Sequence, residues 1–145
     1  MSENRIDQSA LLPYSCAQMY ALVDAIEQYP DFLPWCSGAQ VDRRDPTNVV
    51  ATIQVAFKGL STSFTTRNEH VAPRSITMAL LDGPFTALDG GWRFEPLAED
   101  ACKVHFALRY SMRGGLLGRA LKPLFATIVG SMVDAFTREA ARRYD

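Results

Sequence analysis

Two hydrophobic periods divide this chain of 145 residues. Between residues 38 and 112, apolar and polar positions alternate and are interrupted by turn residues, which predicts a run of antiparallel strands. After residue 115 the apolar residues recur every three or four positions, the period of one helix face. This helix pattern spans Leu116–Tyr144, and its stripe is Leu117, Leu121, Leu124, Phe125, Ile128, Met132, Val133, Phe136 and Ala140. A long helix that follows a sheet must bury such a stripe on that sheet.

The N-terminal segment predicts one strand and two helical elements. Residues 4–12 fit a strand that ends before Pro13. Ser15 followed by Gln18 is a capping-box pattern, and the helix that it opens is expected to end near Tyr29 and Pro30. A short helical turn precedes Pro34, and six strands follow. The predicted order is therefore β-α-α-β6-α, an α+β fold that forms a single domain over residues 1–145.

Alternation within the predicted strands assigns their faces, and it places large aromatic residues on the same faces as aliphatic ones. The weakest of these strands covers residues 39–44. The inward sets are Val49, Ala51, Ile53, Val55 and Phe57, then Thr62, Phe64, Thr66, Asn68 and His70, then Leu88, Gly90, Trp92 and Phe94, then Cys102, Val104, Phe106, Leu108 and Tyr110. Two interpretations remain open at this point: a filled core, or a cavity between a curved sheet and the helix whose polar wall residues meet a ligand.

Helix-breaking residues occur at two places near or within the C-terminal helical pattern. Gly114 and Gly115 separate the last strand from the helix and would suit a hinge or a lid. Pro123 lies inside the helical pattern, where the missing amide hydrogen should kink or divide the helix.

Composition excludes several classes of protein. Hydrophobic residues make up 48% and charged residues 21%, which is typical of a globular domain. The net charge of −1 provides no overall attraction to nucleic acid or to an anionic bilayer, and DNA is not an expected partner. Three widely spaced cysteines without a C-x-x-C pair argue against a disulfide framework and against a zinc site. The polar N-terminus and the absence of an apolar run of about 20 residues predict a cytoplasmic protein, with at most peripheral contact with the inner membrane.

The sequence contains few residues and motifs of the kinds that support catalysis. Of the two histidines, His105 is out of phase with its apolar neighbours, whereas His70 shares a face with Phe64 and is expected to be a hydrogen-bonded structural residue. Nucleophile elbows, phosphate loops and zinc-protease motifs are absent from the sequence. We therefore predict a protein that is not an enzyme, with no catalytic residue, no metal and no required cofactor.

Four motifs resemble one family over nearly the whole chain. They are Tyr29–Cys36 (YPDFLPWC), Phe57–Gly59 followed by Phe64–Asn68, Asp82–Phe85 (DGPF), and Gly91–Phe94 (GWRF) with Pro96. Together they are similar to the coenzyme Q-binding START-like family within the polyketide cyclase-like superfamily. The resemblance implies a helix-grip fold, in which a curved antiparallel sheet wraps around a long C-terminal helix and leaves a cavity between them.

The resemblance also implies two roles. Mitochondrial members are thought to bind ubiquinone and to support respiration without catalysis, and this hydrophobic-ligand function is the first hypothesis. Helix-grip geometry and strand phase then assign the ligand-binding residues: Leu33 and Trp35 at the mouth, Thr66 and Asn68 at a ring carbonyl, and Phe57, Phe64, Trp92, Phe94, Phe106, Phe125, Ile128 and Met132 as walls. A cyclase-type enzyme of the same fold would need acid-base residues that the chain lacks.

The alternative role is directed at the ribosome. Bacterial members of the family are described as toxins that bind the large ribosomal subunit and block subunit association. Such a protein needs an exposed basic surface, for which the candidates are Lys58, Arg67, Arg93 and the helix-end group Arg138, Arg142 and Arg143. Arg109, Arg113, Arg119 and Lys122, near the predicted hinge, are candidates for phosphate on lipid or RNA.

Overall fold

The computed structural model describes residues 3–145, and its architecture is one curved antiparallel sheet that holds the C-terminal helices. The seven strands lie in the order β1-β7-β6-β5-β4-β3-β2. They are β1 (Asn4–Leu12), β2 (Cys36–Arg44), β3 (Asn48–Phe57), β4 (Leu60–Val71), β5 (Ser75–Asp82), β6 (Phe85–Ala98) and β7 (Ala101–Met112). The helices are α1 (Cys16–Asp24), a 3-10 helix (Ile26–Asp31), α2 (Leu116–Gly130) and α3 (Met132–Tyr144). The predicted fold class is confirmed, and so is the predicted element order, except that two helices, α2 and α3, stand in place of the single C-terminal helix.

The start of α1 follows the predicted capping box. The Ser15 hydroxyl accepts the Gln18 amide hydrogen at 3.1 Å, and the Gln18 side chain accepts the Ser15 amide hydrogen at 2.9 Å. The regular helix ends at Asp24, earlier than the sequence pattern predicts, and the 3-10 helix that contains Pro30 carries the chain on. A proline cannot donate a helical hydrogen bond, so the tighter 3-10 turn replaces the end of the helix.

Two glycines in the middle of β6 allow the strands to approach closely where the sheet bends. Gly90 and Gly91 have φ of +144° and +155°, a region that other residues rarely adopt. A Cβ on Gly90 would lie 2.2 Å from the carbonyl oxygen of Ala107, and one on Gly91 would lie 2.1 Å from that of Ile76. The Gly-Gly pair in β6 is therefore required by the backbone of β5 and β7 on either side.

The C-terminal apolar stripe is divided into two helices, but the division is not at Pro123. Pro123 lies within α2 on its exposed side, where water can hydrate the carbonyl that the proline leaves without a partner. The break is at Ser131, and α2 and α3 meet there at 45°. Gln8 on β1 donates its side-chain amide to the carbonyl of Gly130 at 3.0 Å, which satisfies an acceptor at the end of α2.

The buried stripe is shorter than predicted at its N-terminal end. Leu117 is 56% exposed, so the buried apolar side chains of α2, beyond the buried Gly118, begin at Leu121 and continue through Leu124, Phe125, Ile128 and Val129. The predicted hinge precedes it, with Gly115 at φ of +100° immediately before the helix. Whether Gly114 and Gly115 act as a hinge stays a prediction.

Candidate functional site: an apolar cavity and an outer groove

An internal cavity lies between the concave face of the sheet and α2. About 90 Å³ of this space is open to the centres of water molecules. Its walls are mostly aliphatic and aromatic: Ile26, Tyr29, Trp35, Ala51, Ile53, Phe64, Thr66, Asn68, Met78, Phe85, Leu88, Trp92, Phe106, Leu108, Tyr110, Phe125, Ile128, Val129 and Met132. Ligand sites for drug-sized molecules measure roughly 300–1,000 Å³, so a quinone ring with part of its tail would enter only if the wall moves.

Three phenylalanines pack together at the end of the cavity near the β5–β6 turn. The centroids of the Phe85 and Phe125 rings lie 4.9 Å apart, and Phe64 lies 5.7 Å from Phe85 and 6.0 Å from Phe125, all at steep angles. Gly83 makes this arrangement possible, because a Cβ there would lie 2.6 Å from the Cβ of Phe64. The DGPF motif therefore has a structural role at the cavity wall.

Polar groups in the wall are few. The Thr66 hydroxyl donates to the side-chain oxygen of Asn68 at 2.7 Å, and both residues are buried. The Asn68 side chain and the Tyr110 side chain both line the cavity. Burial raises the pKa of Tyr110, so this hydroxyl stays protonated at neutral pH. The wall thus offers an amide and a phenol to a ligand oxygen.

Nine of the twelve residues assigned to the ligand from sequence lie in the cavity wall. They are Trp35, Phe64, Thr66, Asn68, Trp92, Phe106, Phe125, Ile128 and Met132. Phe57 is not a wall residue: it ends β3 before the hairpin turn, is 37% exposed and lines an outer groove together with Leu33. Phe94 faces inward but lies under α1, with its ring 5.8 Å from that of Tyr20 and 6.5 Å from that of Trp92. Strand phase identifies the face of a residue but not its position along the cavity.

The outer groove lies between the Phe32–Trp35 loop and the two C-terminal helices. About 500 Å³ of it is open to water-molecule centres, and its far end carries Arg138 and Arg142. Trp35 and Ile128 line both the groove and the internal cavity. These two side chains are therefore the partition between the two spaces, and the YPDFLPWC motif supplies one of them.

Several wall residues were not assigned from sequence. Ala51, Ile53, Leu88, Leu108 and Tyr110 are in phase with assigned residues on β3, β6 and β7, so the alternation could have identified them. Ile26 and Tyr29 reach the cavity from the 3-10 helix, Met78 from β5, Phe85 from β6 and Val129 from α2. These last residues come from elements whose distance from the cavity depends on how they pack.

Neither histidine lines the cavity. His70 is buried on β4, with its Nδ1 atom 2.6 Å from the Tyr20 hydroxyl and 3.8 Å from the Asp24 carboxylate. Burial lowers the pKa of His70 more than Asp24 raises it, so the ring is neutral at pH 7. His105 lies on the other face of the sheet, where it contacts Glu95 at 3.1 Å.

Two of the three cysteines are brought together by the fold. The Sγ atoms of Cys16, at the start of α1, and Cys102, at the start of β7, lie 3.0 Å apart, whereas the Cys36 thiol contacts the carbonyl of Gly38. We expect diamide, which accepts two electrons and two protons, to link Cys16 to Cys102. Burial raises the pKa of Cys102 to about 12, so the reaction should accelerate as pH rises.

The measurement is a count of free thiols by alkylation and mass spectrometry, with peptide mapping of the link. The count should fall from three to one, and Cys36 should remain free. A Cys102→Ser variant is the matched control and should keep two free thiols after the same treatment. Three alkylated cysteines in the treated wild type, or a link that includes Cys36, would contradict the expectation.

Residues 3–145 contain no group of three or more His, Cys, Asp or Glu side chains placed to hold a metal ion. Over the same residues, no single helix is both long and apolar enough to cross a membrane; α2 and α3 meet that criterion only as a bent pair.

Comparison with known proteins agrees with this architecture. Residues 12–137 match the family described as polyketide cyclase/dehydrase and lipid transport. The aromatase/cyclase Zhui from Streptomyces sp. R1128 superposes with a TM-score of 0.84 over 99% of this chain and 97% of that one, at 15% identity, which shows a shared fold.

Three curated relatives carry more specific names. The chain is 44% identical to the ribosome association toxin RatA of Pseudomonas aeruginosa, over 96% of each chain. It is 41% identical to the persistence and stress-resistance toxin PasT of Escherichia coli O6:H1, over 97% of this chain and 89% of that one. A mitochondrial coenzyme Q-binding protein, the COQ10 homolog B of Xenopus laevis, is 26% identical over 94% of this chain and 58% of its own length. The chain therefore belongs to the polyketide cyclase/dehydrase and lipid-transport family of START-like proteins.

Proposed function

We propose that this protein associates with the bacterial ribosome. The observation that carries the proposal is the 44% identity to a protein named as a ribosome association toxin, over 96% of both chains. A shared fold alone would not support it, since START-like folds host unrelated functions. This role would place the protein in the cytoplasm. The ribosome-directed role, which was the alternative hypothesis from the sequence, thus becomes the first, and ligand binding becomes the second.

The test is sedimentation of the purified protein with ribosomes and separated subunits in sucrose gradients at low salt. We expect the protein to travel with the large subunit and to reduce the amount of assembled ribosome when it is in excess. The P. aeruginosa relative, 44% identical, is the positive control. Recovery of the protein in the unbound fractions, while the control sediments with ribosomes, would overturn the proposal.

A second candidate function is the binding of ubiquinone or a similar isoprenoid lipid. The cavity supports it, because its mostly apolar walls include the side-chain amide of Asn68 and the phenol of Tyr110. The 26% identity to a coenzyme Q-binding protein supports it more weakly, since that protein is covered over 58% of its length. Each methylene of a tail that leaves water contributes about 0.8 kcal/mol to such binding.

Solvent extraction and native mass spectrometry of protein from a quinone-producing bacterium would test this function. We expect Ile128→Asp to abolish retention of the quinone, because a carboxylate at the partition would face an apolar wall. The control is Leu116→Asp, at a residue that is 85% exposed. Equal quinone content in the wild type and a folded Ile128→Asp variant would exclude the cavity as the binding site.

We also propose that the protein is not an enzyme. Among the described residues, the titratable side chains that line the cavity are Tyr29 and Tyr110, and burial raises the pKa of both. A phenol held protonated is a poor general base at neutral pH. Turnover of a polyketide or other carbonyl substrate by the purified protein would contradict this proposal.

A further inference from the structure

A line of arginines crosses the outer face of the sheet. The strand register aligns one residue from each strand, in the order Arg43, Val50, Arg67, Ala79, Asp89, Arg109 and Arg5. Directly paired residues on neighbouring strands point to the same face. These seven positions, here called the arginine row, contain four cations and one anion, although the whole chain has a net charge of −1.

The two halves of the row differ in how their charges are compensated. On β6, β7 and β1, Arg109 contacts Asp89 at 2.8 Å, and Arg5 contacts Glu3 at 2.6 Å. On β2 and β4, neither Arg43 nor Arg67 has a carboxylate within 4.0 Å among residues 3–145. Both guanidinium groups are therefore available to an outside anion.

A shallow cleft separates these two available arginines. Its lining is Arg43, Asp45, Asn48, Val50 and Arg67. Asp45 also lies there: its carboxylate accepts the amide hydrogens of Thr47 and Asn48 at 3.0 and 2.8 Å, and the charge of Arg43 adds to these hydrogen bonds in lowering the pKa of Asp45. Arg43 and Arg67 are two strands apart, about 10 Å at the usual spacing between strands. Two long side chains at this distance can contact a single negatively charged polymer chain from both sides.

The surroundings of the cleft are polar, and they include the carboxylates of Asp42 and Glu69 as well as hydrogen-bond donors. Toward the β3–β4 turn, the outer face of β3 and β4 carries Thr52, Gln54, Ser61, Ser63 and Thr65. Thr65 and Thr52 are hydrogen-bonded at 2.8 Å, and Asp42 accepts from Thr52 at 2.5 Å. Hydroxyl, amide and guanidinium donors are the groups that contact nucleic-acid backbones, whereas the core of a protein interface is rich in aromatic side chains.

Several of the other cations proposed from the sequence are held by carboxylates. Glu139, which is buried, holds both Arg142 and Arg143, and Arg138 pairs with Asp134. Arg93 lies 3.7 Å from Glu95. Arg43 and Arg67 are distinguished from the remaining candidates by the cleft that they line together.

We propose that the Arg43–Arg67 half of the arginine row binds the phosphate backbone of ribosomal RNA. This inference rests on the proposed association with the ribosome and assigns the surface that makes it. The cavity and the outer groove lie on the other side of the sheet, so a ligand could remain bound while the outer face contacts RNA.

The test is the affinity of an Arg43→Gln/Arg67→Gln variant for isolated large subunits over a series of KCl concentrations. We expect affinity at low salt to fall by about tenfold or more, and the slope of log K against log [KCl] to fall by about 1.4–1.8, because each of the two lost phosphate contacts removes roughly 0.7–0.9 of slope. The matched control is Arg74→Gln/Lys103→Gln, which removes the same charge from two residues that lie outside the row and outside its cleft.

The outcomes distinguish a failure of the proposed surface from a failure of the proposed association with the ribosome. If the wild type does not bind ribosomes, the proposed function fails and the surface fails with it. If the wild type binds and the two double variants bind equally well, the function stands and the surface is wrong. A loss of affinity without a change of slope would indicate a protein contact and would overturn the assignment to RNA. Circular dichroism and urea unfolding would verify that both variants are folded.

Discussion

Replacing Phe136 with alanine is expected to lower the free energy of unfolding by roughly 3–5 kcal/mol, the range for large-to-small changes at buried aromatic residues. Its side chain is 1% exposed. Its ring centroid lies 5.0 Å from that of Trp92, 5.4 Å from that of Tyr29 and 5.2 Å from that of Phe32. One ring thus joins α3 to the sheet and to the segment between α1 and β2, and its loss leaves a void that these elements cannot all close.

Urea unfolding followed by tryptophan fluorescence would measure this loss, since Trp92 lies in the affected cluster. The control is Leu116→Ala, because Leu116 is 85% exposed and surface substitutions usually change stability by about 0.5 kcal/mol or less. A Phe136→Ala variant within about 1 kcal/mol of the wild type would contradict the packing of α3 on the sheet, given the usual cost of such cavities.

Replacing Glu139 with glutamine is expected to have the second largest effect. The Glu139 side chain is 3% exposed and accepts hydrogen bonds from Arg142 at 2.5 and 2.9 Å and from Arg143 at 2.6 Å. Breaking a buried ion pair costs about 3–5 kcal/mol, but Arg142 is 67% exposed and water screens its charge, so we expect about 1–3 kcal/mol. The control is Asp134→Asn, which removes an exposed pair with Arg138.

The same ion pairs predict a dependence of stability on pH. Hydrogen bonds from Arg142 and Arg143 lower the pKa of Glu139 from its ordinary 4.5 to about 2, against an opposing effect of burial. The unfolded chain therefore takes up this proton at a higher pH than the folded protein does. The stabilisation is fully present above pH 4.5 and is lost as pH falls toward 2.

Comparison of wild type and Glu139→Gln in urea at several pH values would isolate this contribution, because the other carboxylates titrate in both proteins. The difference in unfolding free energy should be constant above pH 5 and should shrink between pH 4.5 and 2. A difference that does not change over this interval would show that Glu139 is not the titrating group.

The cavity wall was predictable in part because strand phase is a local property. Alternation placed Phe64, Thr66 and Asn68 on one face of β4, and all three lie in the wall. Phe57 and Phe94 satisfy the same alternation but lie outside the cavity, since one ends its strand and α1 covers the other. Whether an inward residue lies in the cavity depends on which helix or loop covers its part of the curved sheet. The alternation of apolar and polar residues does not indicate this.

The sequence by itself determined the features that neighbouring residues decide. The Ser15–Gln18 capping box and the Lys58–Gly59 hairpin turn each form within a few residues, so their energies are nearly independent of the rest of the fold. The YPDFLPWC, DGPF and GWRF motifs were sufficient to indicate the family, which the comparisons confirm.

Only the tertiary structure decided the features that join distant parts of the chain. The break at Ser131 is accompanied by a hydrogen bond from Gln8, 122 residues away from Gly130, and the Cys16–Cys102 contact joins residues 86 apart. The arginine row needs the register of all seven strands, including shifts at bulges in β2 and between β4 and β5. Such pairings arise from the packing of whole elements, because no local preference determines which distant residue a side chain meets.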